Sequence, residues 1–259
     1  MKLEPPPPAR LAELLAGSAR AVALTGAGVS VPSGIPDFRS PGSGLWAEVD
    51  PRTVAHIDAF RRDPDSFWEL YGRRFAVLHD KQPNGAHRAL AELERRGLLQ
   101  GVVTQNIDRL HRRAGSDRVI EIHGSIERSV CPSCGAEATL EEVLGLLAGT
   151  AGAPPCPVCG SSLKPGVVLF GELLPDDAIT AAQSLASRAD LILCVGSSLE
   201  VHPAAGLPEL TLRGGGRVAL VTQGETPYDA VAEVKLDGDV EEELGAVMSA
   251  LDRAPRPRG

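Results

Sequence analysis

Four of the five cysteines stand in two Cys-x-x-Cys pairs, Cys131-Pro132-Ser133-Cys134 and Cys156-Pro157-Val158-Cys159, with 21 residues between them. Two thiolates at that spacing reach one metal ion. Four make a closed tetrahedral set, which suits one structural zinc with no open position for water. Gly135 and Gly160 follow the pairs and suit turns that fold back on the metal. The competing chemistry is a disulfide or redox pair, which belongs to oxidising compartments. The fifth, Cys194, lies inside the apolar run Leu191–Val195 and reads as a core residue.

A second group of capable residues recurs just after short apolar runs. Ala21–Leu24 leads into Thr25-Gly26-Ala27-Gly28-Val29-Ser30, a small-residue loop through which a backbone approaches a phosphate closely. The usual dinucleotide fingerprint, G-x-G-x-x-G, has a third glycine where this chain has Val31, and no strand-borne acid follows about 20 residues later. Taken alone, the loop fits a plain glycine-rich turn equally well. Gly34-Ile35-Pro36-Asp37-Phe38-Arg39 comes directly after it. Then come Thr104-Gln105-Asn106-Ile107-Asp108, His123-Gly124, Phe170-Gly171-Glu172 and Gly196-Ser197-Ser198-Leu199. An imidazole such as that of His123 titrates near neutrality and can move a proton there; by spacing alone it reads equally as a satisfied strand-end histidine.

The elements between these motifs alternate. Gly101–Thr104, Val119–Ile122, Val167–Phe170, Leu191–Val195 and Arg217–Val221 read as strands, and Ala86–Arg96, Asp177–Arg188 and Glu241–Leu251 as helices. That alternation predicts an α/β fold, a mostly parallel sheet covered by helices on both faces, with its chemistry beyond the carboxyl ends of the strands. Two insertions interrupt it, a helical one over 40–83 and the cysteine-bearing one over 125–165. Residues 9–39, 84–124 and 166–252 are left as one discontinuous large domain, with tails at 1–8 and 253–259. The chain has 259 residues, 43% apolar and 23% charged, with a formal net charge of -8 and 3% aromatics. That balance disfavours a nucleic-acid surface. No membrane span and no secretion signal of about 7–15 apolar residues is evident, which predicts a cytoplasmic protein.

The ordered set Gly-Ala-Gly-x-Ser, Gly-Ile-Pro-Asp-Phe-Arg, Thr-Gln-Asn-Ile-Asp, His-Gly, paired Cys-x-x-Cys, Phe-Gly-Glu and Gly-Ser-Ser-Leu resembles the sirtuins, from about Ala21 to the C-terminal helix. The resemblance implies a Rossmann-type NAD-binding large domain and a small domain made of a zinc-ribbon module and a helical module. It also implies NAD-consuming removal of acyl groups from lysine, with nicotinamide released and the acyl group left on ADP-ribose. Protein partners carrying acyl-lysine would lie beside NAD in the cleft. By the same resemblance His123 is the general base. Gly26, Ala27, Gly28, Ser30, Ile35, Asp37, Phe38, Arg39, Gln105, Asn106, Ile107, Asp108, Gly196, Ser197, Ser198, Thr222 and Val240 would hold NAD. Val168, Phe170, Gly171, Glu172, Glu200 and Val201 would pair with the substrate as an added strand. Thr222 stands where most sirtuins carry an asparagine against the adenosine ribose.

The helical insertion holds a further pattern, Tyr71-Gly72-Arg73-Arg74. Sirtuins that remove succinyl or malonyl groups carry a Tyr-x-x-Arg pair here, and positions three apart share a helix face. Tyr71 and Arg74 would then read an acidic acyl group, a phenol and a guanidinium both donating to its carboxylate. The competing reading is a solvated arginine run, since Arg73 and Arg74 are adjacent. Protein mono-ADP-ribosylation, and more remotely an NAD-dependent dehydrogenase or a zinc-ribbon nucleic-acid binder, are the other activities the motifs leave open.

Overall fold

The computed structural model describes residues 5–36, 54–149 and 152–253. Helix α1 spans Pro7–Ala16, which corrects the expectation of a tail through residue 8. Proline's fixed φ and missing N–H suit a first helical turn, so Pro7 and Pro8 start the helix. Next come β1 (Ala21–Thr25), a 3-10 turn (Ala27–Ser33), α2 (Ile57–Arg62), α3 (Pro64–Asp80), α4 (Gly85–Arg95), β2 (Val102–Thr104), α5 (Leu110–Arg113) and β3 (Val119–Glu121). The middle of the chain forms β4 (Gly124–Val130), β5 (Glu137–Thr139), α6 (Leu140–Gly149) and β6 (Lys164–Val167). The chain closes with α7 (Asp176–Arg188), β7 (Leu191–Val195), α8 (Leu207–Arg213), β8 (Arg217–Val221), β9 (Val234–Leu236) and α9 (Val240–Arg253).

Six strands make one sheet in the order β3-β2-β1-β7-β8-β9, and every pairing in it is parallel. In chain order within this sheet that is 3-2-1-4-5-6, the doubly wound Rossmann order, whose switch point lies between β1 and β7. Side chains alternate across it as strand geometry requires. Ala21, Ala23, Leu191, Leu193, Ala219 and Val221 join one core with α1, α4 and α9. Val22, Leu24, Ile192, Cys194, Val218 and Leu220 join a second with α7 and α8. Cys194 is fully buried there, the core role its sequence context predicts.

A third core is built from the two insertions. Phe60, Phe67, Trp68, Tyr71, Phe75 and Leu78 pack against Ile126, Cys131, Ala138, Val143, Cys156 and Leu163. The Trp68 indole N–H donates to the Leu163 carbonyl at 2.7 Å, tying the helical insertion to the cysteine-bearing one. The expected strand Val167–Phe170 is corrected. The strand is Lys164–Val167, and it pairs antiparallel with β4 in a separate three-stranded sheet, β5-β4-β6. After Val167 the chain turns, with the Glu172 N–H bonded to the Leu169 carbonyl, so it cannot extend the large sheet.

Candidate functional site

Register places the candidate residues on one edge. Thr25 pairs with Thr104 and Val195, Thr104 with Glu121, Val195 with Val221, and Val221 with Leu236. The strands therefore end at one level, and the segments beginning at Gly26, Gln105, Ile122, Gly196 and Thr222 all leave the same rim of the sheet.

At the switch point two glycine loops interlock. The Gly28 N–H donates to the Gly196 carbonyl at 2.8 Å. A Cβ on Gly26 or Gly28 would sit 2.8 Å from the Gly196 backbone, and Gly196 itself holds a φ of 60°. The glycines are thus required by the approach of one loop to the other. Gln105 closes the crossing by donating from Nε2 to Ser197 Oγ at 3.0 Å, while Ser198 lies half-buried beside it.

Behind the loops runs a buried polar network. The Ser30 hydroxyl donates to Asp108 Oδ2 at 2.6 Å, and Asn106 Nδ2 donates to the Gly26 carbonyl at 2.9 Å and to Ser30 Oγ at 3.2 Å. The Leu110 N–H caps Asp108 Oδ1 at 2.9 Å. Burial raises the Asp108 carboxyl above its ordinary range, against the pull of those bonds. Two histidines that the motif reading missed complete the network. His87 sits 3.5 Å from Ser30 Oγ and His111 sits 2.9 Å from Thr25 Oγ1, their rings 4.8 Å apart. Burial pushes His87 down to about 4 and His111 to about 3, so both are neutral near pH 7. The readable signal was Asn84-x-x-His87, a capping box in which Asn84 bonds the His87 N–H and the His87 ring bonds the Asn84 N–H.

His123 leaves the same rim two residues after β3. Its Nδ1 lies 2.9 Å from the Gln105 carbonyl. A carbonyl only accepts, so Nδ1 carries the proton and Nε2 keeps a free lone pair, the tautomer a general base needs. The Val168 N–H bonds the His123 carbonyl at 2.8 Å and fixes its backbone. Burial lowers the His123 pKa, and the Gln105 bond opposes this.

Other expected residues take different places. Ile35 is buried in the third core beside partly buried Ile107, and Val240 is buried in the first core at the start of α9. Thr222 is buried, with its N–H on the Leu236 carbonyl and its hydroxyl a long 3.5 Å from the Gln223 carbonyl. Asp37, Phe38 and Arg39 lie outside the described residues. In the 168–172 segment the Phe170 N–H and carbonyl pair with Ala55 and Ile57, so one edge is already covered. The Glu172 carboxylate is held by Lys164 Nζ and the Leu169 N–H, both at 2.9 Å. Phe170, Gly171, Glu200 and Val201 are exposed. Tyr71 is buried, stacked on Phe67 at 4.4 Å, and burial raises its phenol to about 12. Arg74 lies half-buried one turn on, while Arg73 is exposed and pairs with Glu69.

The four cysteine sulfurs lie within 4.8 Å of one another. Sγ of Cys131 is 3.4 Å from Cys159, and Sγ of Cys134 is 3.6 Å from Cys156. A disulfide needs about 2.05 Å, whereas tetrahedral zinc at about 2.3 Å from each sulfur holds them roughly 3.8 Å apart. The two knuckles match: Gly135 N–H bonds the Cys131 carbonyl and Gly160 N–H the Cys156 carbonyl, both at 2.9 Å, with φ of 74° and 76°. The four cysteines are positioned to hold one zinc ion. Among the described residues no helix is long and apolar enough to cross a membrane.

Known proteins share this arrangement. The chain is 45% identical over 241 residues, 93% of each chain, to an NAD-dependent protein deacetylase of Pyrobaculum aerophilum. It is 43% identical over 245 residues, 94% of this chain and 97% of the other, to an NAD-dependent protein deacylase of Pyrococcus furiosus. A solved Sir2 structure with a deacetylated p53 peptide and 3'-O-acetyl ADP ribose superposes with a TM-score of 0.88 at 44% identity, covering 92% of this chain and 96% of that one. The Sir2 family model matches residues 26–203, the span from the glycine loop through the cysteine pairs to the second strand-end loop. The chain belongs to the Sir2 family, the sirtuins.

Proposed function

We propose that the protein is an NAD-dependent protein-lysine deacylase whose general base is His123 and whose NAD site is the rim of the parallel sheet. The observation that carries this reading is the His123 tautomer, with Nδ1 tied to the Gln105 carbonyl and the lone pair therefore on Nε2, at the strand-end rim. NAD supplies an activated ribose that releases nicotinamide and carries the acyl group away. The chain's own residues do the rest. Ala27 offers its backbone to the phosphates, Gly26 and Gly28, whose N–H groups bond the Val195 and Gly196 carbonyls, keep the loop slim enough for close approach, and Ser197 and Ser198 stand at the second loop. Ser30, Asn106 and Asp108, already bonded to one another, present a fixed polar wall to the nicotinamide and its ribose, where preorganised contacts contribute most. His123 Nε2 takes a proton from a ribose hydroxyl. The exposed stretch at Phe170 and Gly171, with Glu200 and Val201, receives the substrate backbone.

Acyl-lysine peptides are the substrate class. Within it, Tyr71 and Arg74 support removal of succinyl or malonyl groups at least as well as acetyl. Mass spectrometry of the products from NAD and a panel of acyl-lysine peptides tests the reading. Acyl-ADP-ribose and nicotinamide are expected, and His123→Ala should reduce turnover roughly 10²–10⁴-fold with the fold intact. ADP-ribosylated peptide as the main product would favour mono-ADP-ribosylation instead.

A further inference from the structure

The chain passes through His123 between two strands, and each carries a glutamate, Glu121 in β3 and Glu127 in β4. Both glutamates are met by arginines of the segment that follows Asp108. Arg109 Nη2 lies 3.1 Å from Glu127 Oε1, and Arg112 Nε lies 3.3 Å from Glu121 Oε2. Arg112 also donates from Nη2 to the Val119 carbonyl at 2.9 Å. Main-chain bonds tie neighbouring residues of the same strands to the end of β2 and the loop after it: Ile122 N–H to the Thr104 carbonyl and Ile126 N–H to the Ile107 carbonyl, both at 3.1 Å. The two ion pairs thus bracket the His123 bend against the loop that holds Asn106 and Asp108.

Arg109 has a second oddity. Its φ is 68°, in the left-handed region that a residue with a Cβ rarely occupies. That turn directs Leu110 onto the Asp108 carboxylate and sends the Arg109 side chain towards β4, its Nε fully buried. Such conformations persist where the surroundings hold them, and they concentrate at functional sites.

We propose that Arg109 and Arg112 are positioning residues for deacylation, acting through Glu127 and Glu121 to hold the His123 imidazole in register with the Asn106–Asp108 loop. This rests on the reading of His123 as general base. The pairs are only partly buried, with side-chain exposures of 26% and 46% for Arg109 and Glu127, and 46% and 14% for Arg112 and Glu121. Their effect on global stability is therefore small and screened by salt, while their effect on geometry is felt at the site.

The test compares the full-length, zinc-loaded enzyme with Arg109→Met, Arg112→Met, Glu127→Gln and the reversed pair Arg109→Glu with Glu127→Arg. For each single variant kcat should fall roughly three- to tenfold, with KM for the acyl peptide within about twofold and the melting temperature little changed. The reversed pair should regain part of the loss. Raising ionic strength should lower kcat of the wild type more than that of Arg109→Met. Unchanged kcat in the single variants, a melting temperature that falls in step with activity, or a reversed pair as impaired as the sum of its parts would each overturn the proposal. Wild-type turnover by His123→Ala, run alongside, would overturn the underlying base assignment whatever the arginine variants do.

Discussion

Arg73 and Arg74 are neighbours in sequence with opposite environments. Arg73 faces solvent and pairs with Glu69 one turn back, whereas Arg74 shares the buried side of α3 with Tyr71. Burial lowers the Arg74 pKa and raises that of Tyr71, while attraction between the phenolate form and the guanidinium opposes both shifts. A phenol and a guanidinium on one helix face are the donors that an acidic acyl group would use. Arg74→Met should lower kcat/KM on succinyl-lysine peptide by roughly 10–150-fold and leave acetyl-lysine peptide nearly unaffected. Matched peptides decide this, and equal losses on both would give Arg74 a purely structural part. His123 makes a second residue-scale prediction. As the proposed base it acts in its neutral form, and burial depresses its pKa below the ordinary 6.5. The acid limb of kcat/KM against pH should therefore lie below pH 6.5 and vanish in His123→Ala; a wild-type limb above 6.5 would contradict the assignment.

Among the elements, the zinc-binding one reaches furthest into the chemistry. Its strand β4 bonds the Ile107 carbonyl through Ile126, and its core is shared with Trp68. Structural zinc supplies much of the folding energy of such a module. One zinc per chain is expected by elemental analysis of fresh protein. Cys131→Ala, or a strong chelator, should disorder β4–β6, change the Trp68 fluorescence and abolish deacylation, while the far-UV signal of the large domain survives. Retained activity in zinc-free protein would show that the loop is held without the module. The cysteine spacing made this element legible. Its sheet was not, because β6 is the short stretch Lys-Pro-Gly-Val, whose proline and glycine do not announce a strand. β9 was missed likewise, being only Val234–Leu236.

At the scale of the whole molecule, a parallel sheet buries both faces, and its polar strand ends must find partners inside. His87 and His111 are part of that solution, and their cost is acid sensitivity. Both have folded pKa values well below the unfolded 6.5, at about 4 and about 3. As pH falls below 6.5 the unfolded chain takes up protons that the folded chain does not, so stability declines. Over pH 6.5 to 5, above the ordinary carboxylate range, the urea midpoint should fall, and fall less in His111→Gln. An equal decline in both proteins would mean that His111 is not buried as a neutral ring.

The sequence by itself determined the chemistry on offer: four thiolates at metal spacing, glycine loops after apolar runs, a histidine after a strand, and the alternation that yields a parallel sheet. These are local properties, carried by residue type and spacing along the chain. Three things were decided only by tertiary structure. The glycines of the first loop serve its crossing with Gly196, 168 residues downstream of Gly28. The His123 tautomer follows from a carbonyl contributed by Gln105. The buried histidine pair and the Arg109 and Arg112 brackets join residues whose partners lie on other elements. Each depends on the direction in which a side chain or carbonyl points once the strands are in register, and register is set by the packed sheet as a whole.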